Sequence, residues 1–293
     1  MIRTIGIIGL GQMGSGIAYA CIDAGYKVIA VDVKNDMVQK GVSYVHKMIE
    51  KGQRKGRISE EKKVEMIGLL RTGVELVEVS KADLIIEAVT EDMELKSRTF
   101  RELESICSEN AILASNTSSL SITSLASGLK EVSRMIGLHF FNPVPVMRLV
   151  EVIKTMETST EVAKNTMDFI KSIGKTPILV RDQAGFLVNF LLTPYLFDAM
   201  RALSNGLASV EEIDNGMKLG CGYPMGPLAL ADLIGLDMLY KAGNILFEEY
   251  RESRFAVPPI LKKLVQFGQT GVKSGRGFYD YSDSDKPDAR NLI

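Results

Sequence analysis

The 293 residues, 46% apolar and 24% charged, have the make-up of an ordinary globular chain with room for about two domains, and they exclude an intrinsically disordered one. Thirty-five basic against 36 acidic residues leave a net charge of −1, so no basic excess exists to draw nucleic acid or an anionic membrane. No run reaches the ~18 apolar residues of a membrane span and the N-terminus lacks a secretory pattern; three scattered cysteines and two histidines suggest neither a disulfide framework nor a metal site, and the expected setting is a reducing cytoplasm.

Up to Asp182 the chain alternates short apolar runs with longer amphipathic ones, the βαβ pattern of a mostly parallel, Rossmann-like α/β sheet. Strands are predicted at residues 2–8, 27–33, 83–88, 112–115, 135–139, 149–153 and 176–180, and helices at 15–24, 37–51, 60–70, 95–108 and 161–173. Several strands are almost wholly apolar, as befits strands buried on both faces. Residues 35–70 are long for a single crossover, and a helical hairpin standing off the sheet accounts for the length. The basic run Lys51, Arg54, Lys55, Arg57 near its middle is either a solvated helix end or a site for a phosphate-bearing substrate tail.

Beyond Asp182 helical periodicity takes over, with helices expected at 186–204, 210–219, 229–234, 236–250 and 258–267. The first is too apolar for one buried stripe, so it is expected to be buried nearly all round, in part by a second subunit. These features predict a Rossmann-like domain over residues 1–183 and an all-α domain over 184–293, with residues 282–293 as a loose polar tail.

Gly9-Leu10-Gly11-Gln12-Met13-Gly14 fits G-x-G-x-x-G between an apolar strand and a helix, and Asp32 follows eighteen positions after Gly14, at the end of the next strand. In that context Gly9 permits the tight turn, Gly11 lets backbone approach a pyrophosphate and Gly14 lets helix and strand pack closely. The helix N-terminus offers unsatisfied N–H groups to phosphate. Asp32 would accept from ribose hydroxyls and repel a 2′-phosphate, which favours NAD over NADP.

Ligands of open α/β sheets sit beyond the C-terminal ends of strands. Three such ends carry polar groups: Thr90-Glu91, Asn116-Thr117-Ser118-Ser119 and His139-Phe140-Phe141-Asn142-Pro143. His139 is either a satisfied core imidazole or a catalytic one; His46, in a charged helix, reads as a surface residue. Glu151 interrupts the apolar run Leu149-Val150-Glu151-Val152-Ile153. An acid there needs a partner. It either pairs with an imidazole, fixing its tautomer, or points to solvent. Asn189, an amide in an apolar helix, makes a helix–helix hydrogen bond or serves the site.

Ser115–Ser119, His139–Pro143, Gly185-Phe186-Leu187-Val188-Asn189, Pro224-Met225-Gly226-Pro227 and Lys273-Ser274-Gly275-Arg276-Gly277-Phe278-Tyr279 together resemble the short-chain L-3-hydroxyacyl-CoA dehydrogenases, in order and over essentially the whole chain. The resemblance implies NAD as cofactor, an acyl-CoA substrate, no metal, and a homodimer formed through the helical domain. It implies His139 as general base oriented by Glu151, with Ser118 and Asn189 at the substrate's 3-oxygen or orienting the pair. Asp32, Glu91, Lys96, Ser118, Asn142 and Lys273 match positions that contact the dinucleotide, and Lys51 and Lys55 become phosphate contacts for coenzyme A. The implied reaction is reversible transfer of hydride between C3 and the nicotinamide, with His139 moving the hydroxyl proton. One departure is Phe190, where family members usually carry Arg after the Asn. The alternatives are a related short hydroxyacid or L-gulonate-type dehydrogenase, or a non-catalytic dinucleotide-binding protein. The short hydroxyacid dehydrogenases rely on a Lys motif absent around residues 170–190, Phe140-Phe141-Asn142-Pro143 favours the acyl-CoA branch over the L-gulonate type, and the intact His139, Glu151, Ser118 and Asn189 argue against the last.

Overall fold

A computed structural model describes residues 2–283 and 287–292. It divides into two compact units, residues 1–186 and 187–293. The first is built from β1 (Thr4–Ile8), α1 (Gln12–Asp23), β2 (Lys27–Val31), α2 (Asn35–Arg54), α3 (Glu60–Leu69), β3 (Leu70–Gly73), β4 (Leu84–Glu87), α4 (Met93–Ile106), β5 (Ile112–Ser115), α5 (Ile122–Ala126), β6 (Met135–Phe140), β7 (Leu149–Lys154), α6 (Thr160–Ser172) and β8 (Thr176–Arg181). The strands form one sheet in the order β3-β2-β1-β4-β5-β6-β7-β8. Among the described residues every pairing in that sheet is parallel except β6 with β7.

The apolar runs are continuous because both faces of the sheet are covered. Leu84 and Ile86 of β4 join one core cluster with Ile5, Ile7, Ile17 and Ile22. Ile85, between them, joins the other with Phe100, Leu103 and Leu113. Alternate side chains point to opposite faces of a strand, so each neighbour in the run meets a different helix layer. Side-chain caps set where the helices start: Ser59 accepts from the Lys62 amide before α3 and Asp92 from the Leu95 amide before α4.

The structure adds to these expectations and in places changes them. After the second hairpin helix, where no strand is predicted, Leu70–Gly73 adds a parallel edge strand beside β2. One apolar residue in Leu-Arg-Thr-Gly gives no alternation to read. The hairpin of α2 and α3 buries Val38, Val45, Ile49, Ile58 and Met66 in the cluster that also holds β1 and α1. Finally, the tail is pinned where it is described: Asp288–Ala289 (β10) pairs antiparallel with Tyr279–Asp280 (β9), and the Arg290 amide donates to the Phe278 carbonyl. Residues 284–286 and 293 of that stretch lie outside the described residues.

The second unit is helical: α7 (Val188–Ser204), α8 (Val210–Cys221), α9 (Pro227–Ile234), α10 (Leu236–Tyr250) and α11 (Pro259–Gln266), to which the β9–β10 ribbon is added. Leu196, Phe197, Met200, Leu228, Leu236 and Phe278 fill its core. α7 is not buried all round within the chain, since Leu191 is 59% exposed. Two buried acids organise the loops. Asp214 accepts from the Leu228 and Ala229 amides, which caps α9, and from the Tyr279 hydroxyl. Asp232 accepts from the Phe278 and Tyr279 amides and the Tyr281 hydroxyl, while burial pushes its carboxyl up to about 6.

Candidate active site

The glycine loop leaves β1 and enters α1. Gly9 has φ +92°, and a Cβ there would lie 2.8 Å from the Ala88 carbonyl oxygen. A Cβ on Gly14 would lie 1.8 Å from the Gly9 carbonyl oxygen, whereas one on Gly11 would meet nothing within 4 Å. Loop and helix therefore touch at Gly14 and leave room at Gly11. Gly11 is the N-cap of α1, no side chain caps that end, and its first turn carries no acid. The N–H groups there keep the orphan character that suits a pyrophosphate. The amide of Leu10 is the exception, since it donates to Asp32 Oδ2 at 2.7 Å. Asp32 Oδ1 accepts from the Val33 amide at 2.8 Å, so the carboxylate is fixed beside the loop with lone pairs left for hydroxyl donors. Gln12 Nε2 donates to Asn142 Oδ1 at 3.0 Å, which joins the loop to the end of β6. Met13 is half-buried. These residues fit a dinucleotide bound by its adenosine and pyrophosphate portions.

The ends of β4 and β5 meet over a buried ion pair. Lys96, 0% exposed on α4, reaches Glu87 Oε1 at 2.7 Å and Glu91 Oε2 at 3.4 Å. Its ammonium also lies 3.3 Å from the Asn116 carbonyl oxygen. Glu87 is equally buried and accepts from the Ser115 hydroxyl and the Val89 amide, each at 2.7 Å. Burial holds its carboxyl above the usual carboxylate range, and Lys96 opposes that shift. Glu91 Oε1 in turn accepts from the Thr117 hydroxyl, the Ser118 amide and the Ser119 hydroxyl. Glu91, Lys96 and Ser118 are thus brought together, with Lys96 behind Glu91 rather than at the surface.

His139 and Glu151 are direct partners in the antiparallel register of β6 and β7. Cross-strand partners share a face, and Nδ1 of His139 lies 2.6 Å from Glu151 Oε2. Glu151 is 0% exposed, so of its two sequence readings the solvent-facing one is overturned. The Phe141 ring lies 4.3 Å and the Phe186 ring 5.8 Å from the imidazole, centroid to centroid. Next along β6, the Phe140 amide donates to Asn116 Oδ1 at 3.2 Å. The arrangement offers an imidazole whose Nδ1 is committed to a carboxylate and whose Nε2 can exchange a proton.

Lys51 lies in the last turn of α2 and Lys55 caps its C-terminus; both are exposed. Asn189 lies in the first turn of α7, in the second unit. Lys273, also in that unit, pairs with Asp237 at 2.6 Å. Asn116 and Thr117 are marked in the sequence only as polar groups at a strand end, and Glu87 is not marked at all. For Glu87 the signal was available: it is an acid closing the apolar run Leu84–Glu87, the same anomaly that marked Glu151.

Residues 4–183 match the family 3-hydroxyacyl-CoA dehydrogenase, NAD binding domain, and residues 185–281 match 3-hydroxyacyl-CoA dehydrogenase, C-terminal domain. A 3-hydroxybutyryl-CoA dehydrogenase of Mycobacterium tuberculosis is 42% identical over 96% of this chain and 99% of its own. The human mitochondrial hydroxyacyl-coenzyme A dehydrogenase is 40% identical over 96% of this chain and 92% of its own. The crystal structure of (S)-3-hydroxybutyryl-CoA dehydrogenase from Ralstonia eutropha superposes with a TM-score of 0.94 at 42% identity, covering 97% of this chain and 100% of that one. With both domain families matched in order across nearly the whole length, and with a dinucleotide loop ending β1, the chain belongs to the 3-hydroxyacyl-CoA dehydrogenase family of oxidoreductases, with NAD as its cofactor.

Proposed function

We propose that the chain catalyses the reversible oxidation of a short-chain (S)-3-hydroxyacyl-CoA, such as 3-hydroxybutyryl-CoA, to the 3-oxoacyl-CoA. The observation that carries the reading is the buried His139–Glu151 pair, at 2.6 Å, in the same compact unit as the glycine loop. NAD, when bound, supplies the hydride chemistry at C3. In oxidation His139 Nε2 takes the hydroxyl proton; in reduction the imidazolium returns it to the 3-oxygen. Glu151 holds the proton on Nδ1 and stabilises the imidazolium. Ser118 and Asn189 are assigned to the 3-oxygen or to orienting the pair. Gly9 to Gly14, Asp32, Glu91, Lys96, Ser118 and Asn142 of the domain at residues 1–183 are assigned to the dinucleotide, together with Lys273 of the domain at residues 184–293.

Lys51 and Lys55 are assigned to the phosphates of coenzyme A. Reduction of acetoacetyl-CoA by NADH is expected to exceed that of free acetoacetate or 2-methyl-3-oxopropanoate by at least 100-fold in kcat/KM. Joint replacement Lys51→Ala with Lys55→Ala should raise KM for the thioester more than it lowers kcat. Equal rates with thioester and free acid would overturn the substrate assignment, and an unchanged KM in the double variant would move the phosphate contacts elsewhere.

A homodimer through the helical unit completes the reading. It is supported by α7, which is too apolar for a helix with one buried stripe and yet leaves Leu191 59% exposed. Sedimentation at micromolar concentration should give twice the mass of the 32.2 kDa chain; a stable monomer would contradict it. The three free thiols, Cys21, Cys107 and Cys221, suit the cytoplasmic setting that this reading assigns.

A further inference from the structure

The Glu87–Lys96 pair is not explained by stability alone. Both side chains are 0% exposed, and removing two charges from water costs several kcal/mol per ion before their attraction offsets it. Packed apolar residues of similar volume often serve stability equally well or better. What an apolar pair could not do is hold the atoms to which Lys96 is bonded.

Those atoms lie at the C-terminal ends of three adjacent strands. From the end of β4, Glu87 accepts from the Val89 amide through Oε1 and from Ser115, at the end of β5, through Oε2. Its charge fixes Lys96, whose ammonium then reaches the Asn116 carbonyl at 3.3 Å and Glu91 Oε2 at 3.4 Å. Asn116 accepts from the Phe140 amide on β6, one residue from His139. Glu91 gathers the Thr117 hydroxyl and the Ser118 amide. One buried carboxylate thus sets the loops on the cofactor side and the backbone beside the imidazole. Glu87 itself contacts neither His139 nor Glu151 in any of these bonds.

We propose that Glu87 is a positioning residue of the dehydrogenase reaction: through Lys96 it aligns Glu91 and Asn116, and through Asn116 the strand that carries His139. The inference rests on the activity proposed above. Without the Glu87 charge, Lys96 keeps Glu91 as its neighbouring carboxylate and is drawn toward it. That pull competes with the bonds Glu91 makes to Thr117, Ser118 and Ser119. A displacement of about 1 Å at a reacting site costs about 100-fold in rate, so the expected loss lies between about 10- and 100-fold.

The test uses the full-length enzyme with NADH and acetoacetyl-CoA. Glu87→Gln keeps the shape and removes the charge. Its kcat per NADH-binding site, counted by fluorescence titration, should fall at least tenfold. Turnover is read at saturating NADH, because Glu91, Lys96 and Ser118 are themselves assigned to the dinucleotide and its Kd is expected to rise as well. The deuterium isotope effect with NADH labelled at the transferred position should rise as the chemical step becomes slower. Glu87→Asp, which restores the charge, should recover kcat to within about fivefold of wild type. If Glu87→Gln does not fold, Ser115→Ala removes one bond to the carboxylate and should lower kcat about three- to tenfold at saturating NADH. A folded Glu87→Gln with kcat per site within twofold of wild type would overturn the proposal, whatever its melting temperature. So would a loss that disappears once NADH-binding sites are counted, or, in the fallback case, an unchanged kcat in Ser115→Ala. Wild-type enzyme inactive on acetoacetyl-CoA would instead remove the activity on which the inference rests.

Discussion

His139→Ala is expected to lower kcat by about 10²- to 10⁴-fold, the usual contribution of a positioned acid–base group, while NADH binds as before. The expectation follows from where the residue stands. The imidazole has Nδ1 committed to Glu151 at 2.6 Å, so its loss removes a proton carrier held in one tautomer. The dinucleotide loop and Asp32 make their own contacts, Asp32 with the Leu10 and Val33 amides, and none of these involves His139. Glu151→Gln keeps the shape of the partner and removes the charge that stabilises imidazolium, so kcat falls again. The double variant should be less impaired than the product of the single ones, because the two groups act as a unit. Steady-state turnover with acetoacetyl-CoA and fluorescence titration with NADH check both halves. Near wild-type turnover in a folded, NADH-binding His139→Ala protein would end the general-base assignment. Multiplicative effects would leave His139 in place and dissolve the pairing.

Gly14→Ala is expected to be nearly as damaging, through binding rather than chemistry. The added Cβ would sit 1.8 Å from the Gly9 carbonyl oxygen, a distance no methyl group tolerates, so loop and helix must separate. Losing one charge-assisted hydrogen bond to a phosphate, at about 1.5–3 kcal/mol, corresponds to roughly 10- to 100-fold in affinity. The Kd for NADH should rise accordingly, and the melting temperature should fall because the packing of β1 on α1 is disturbed. Gly11→Ala is the informative companion. Its Cβ would meet nothing within 4 Å, so the melting temperature should hold while NADH binding weakens. Gly11→Ala with wild-type affinity for NADH would show that the pyrophosphate does not approach there.

The pairing of His139 with Glu151 was legible because one of its members breaks a simple rule. Glu151 is an acid inside an apolar strand, and only a partner relieves that cost; the partner proved to be His139, directly across the sheet. The dinucleotide loop was legible because its spacing and its flanking elements agree. Lys96 was legible only by resemblance. Its helix, α4, is amphipathic, and a lysine there reads as surface until Glu87 and Glu91 are found on either side of it. The edge strand β3 and the pinned tail were not legible, since both are held by backbone pairing that leaves no apolar period. The glycine-rich motif at residues 273–279 resembled a functional signature, and part of it serves packing: the Phe278 and Tyr279 amides satisfy buried Asp232.

The antiparallel pairing of β6 with β7 has a consequence for how the enzyme fails. His139 and Glu151 face each other because their strands are in register, His139 opposite Glu151 with Leu138 opposite Val152. Register in a sheet with buried faces cannot slip by one residue without turning every side chain over. The pair therefore has no partly opened form of its own, unlike groups carried on mobile loops, which open locally at little cost. On heating, the His139–Glu151 pairing should survive until the sheet itself melts, so that thermal inactivation should not precede the first of the two units to unfold.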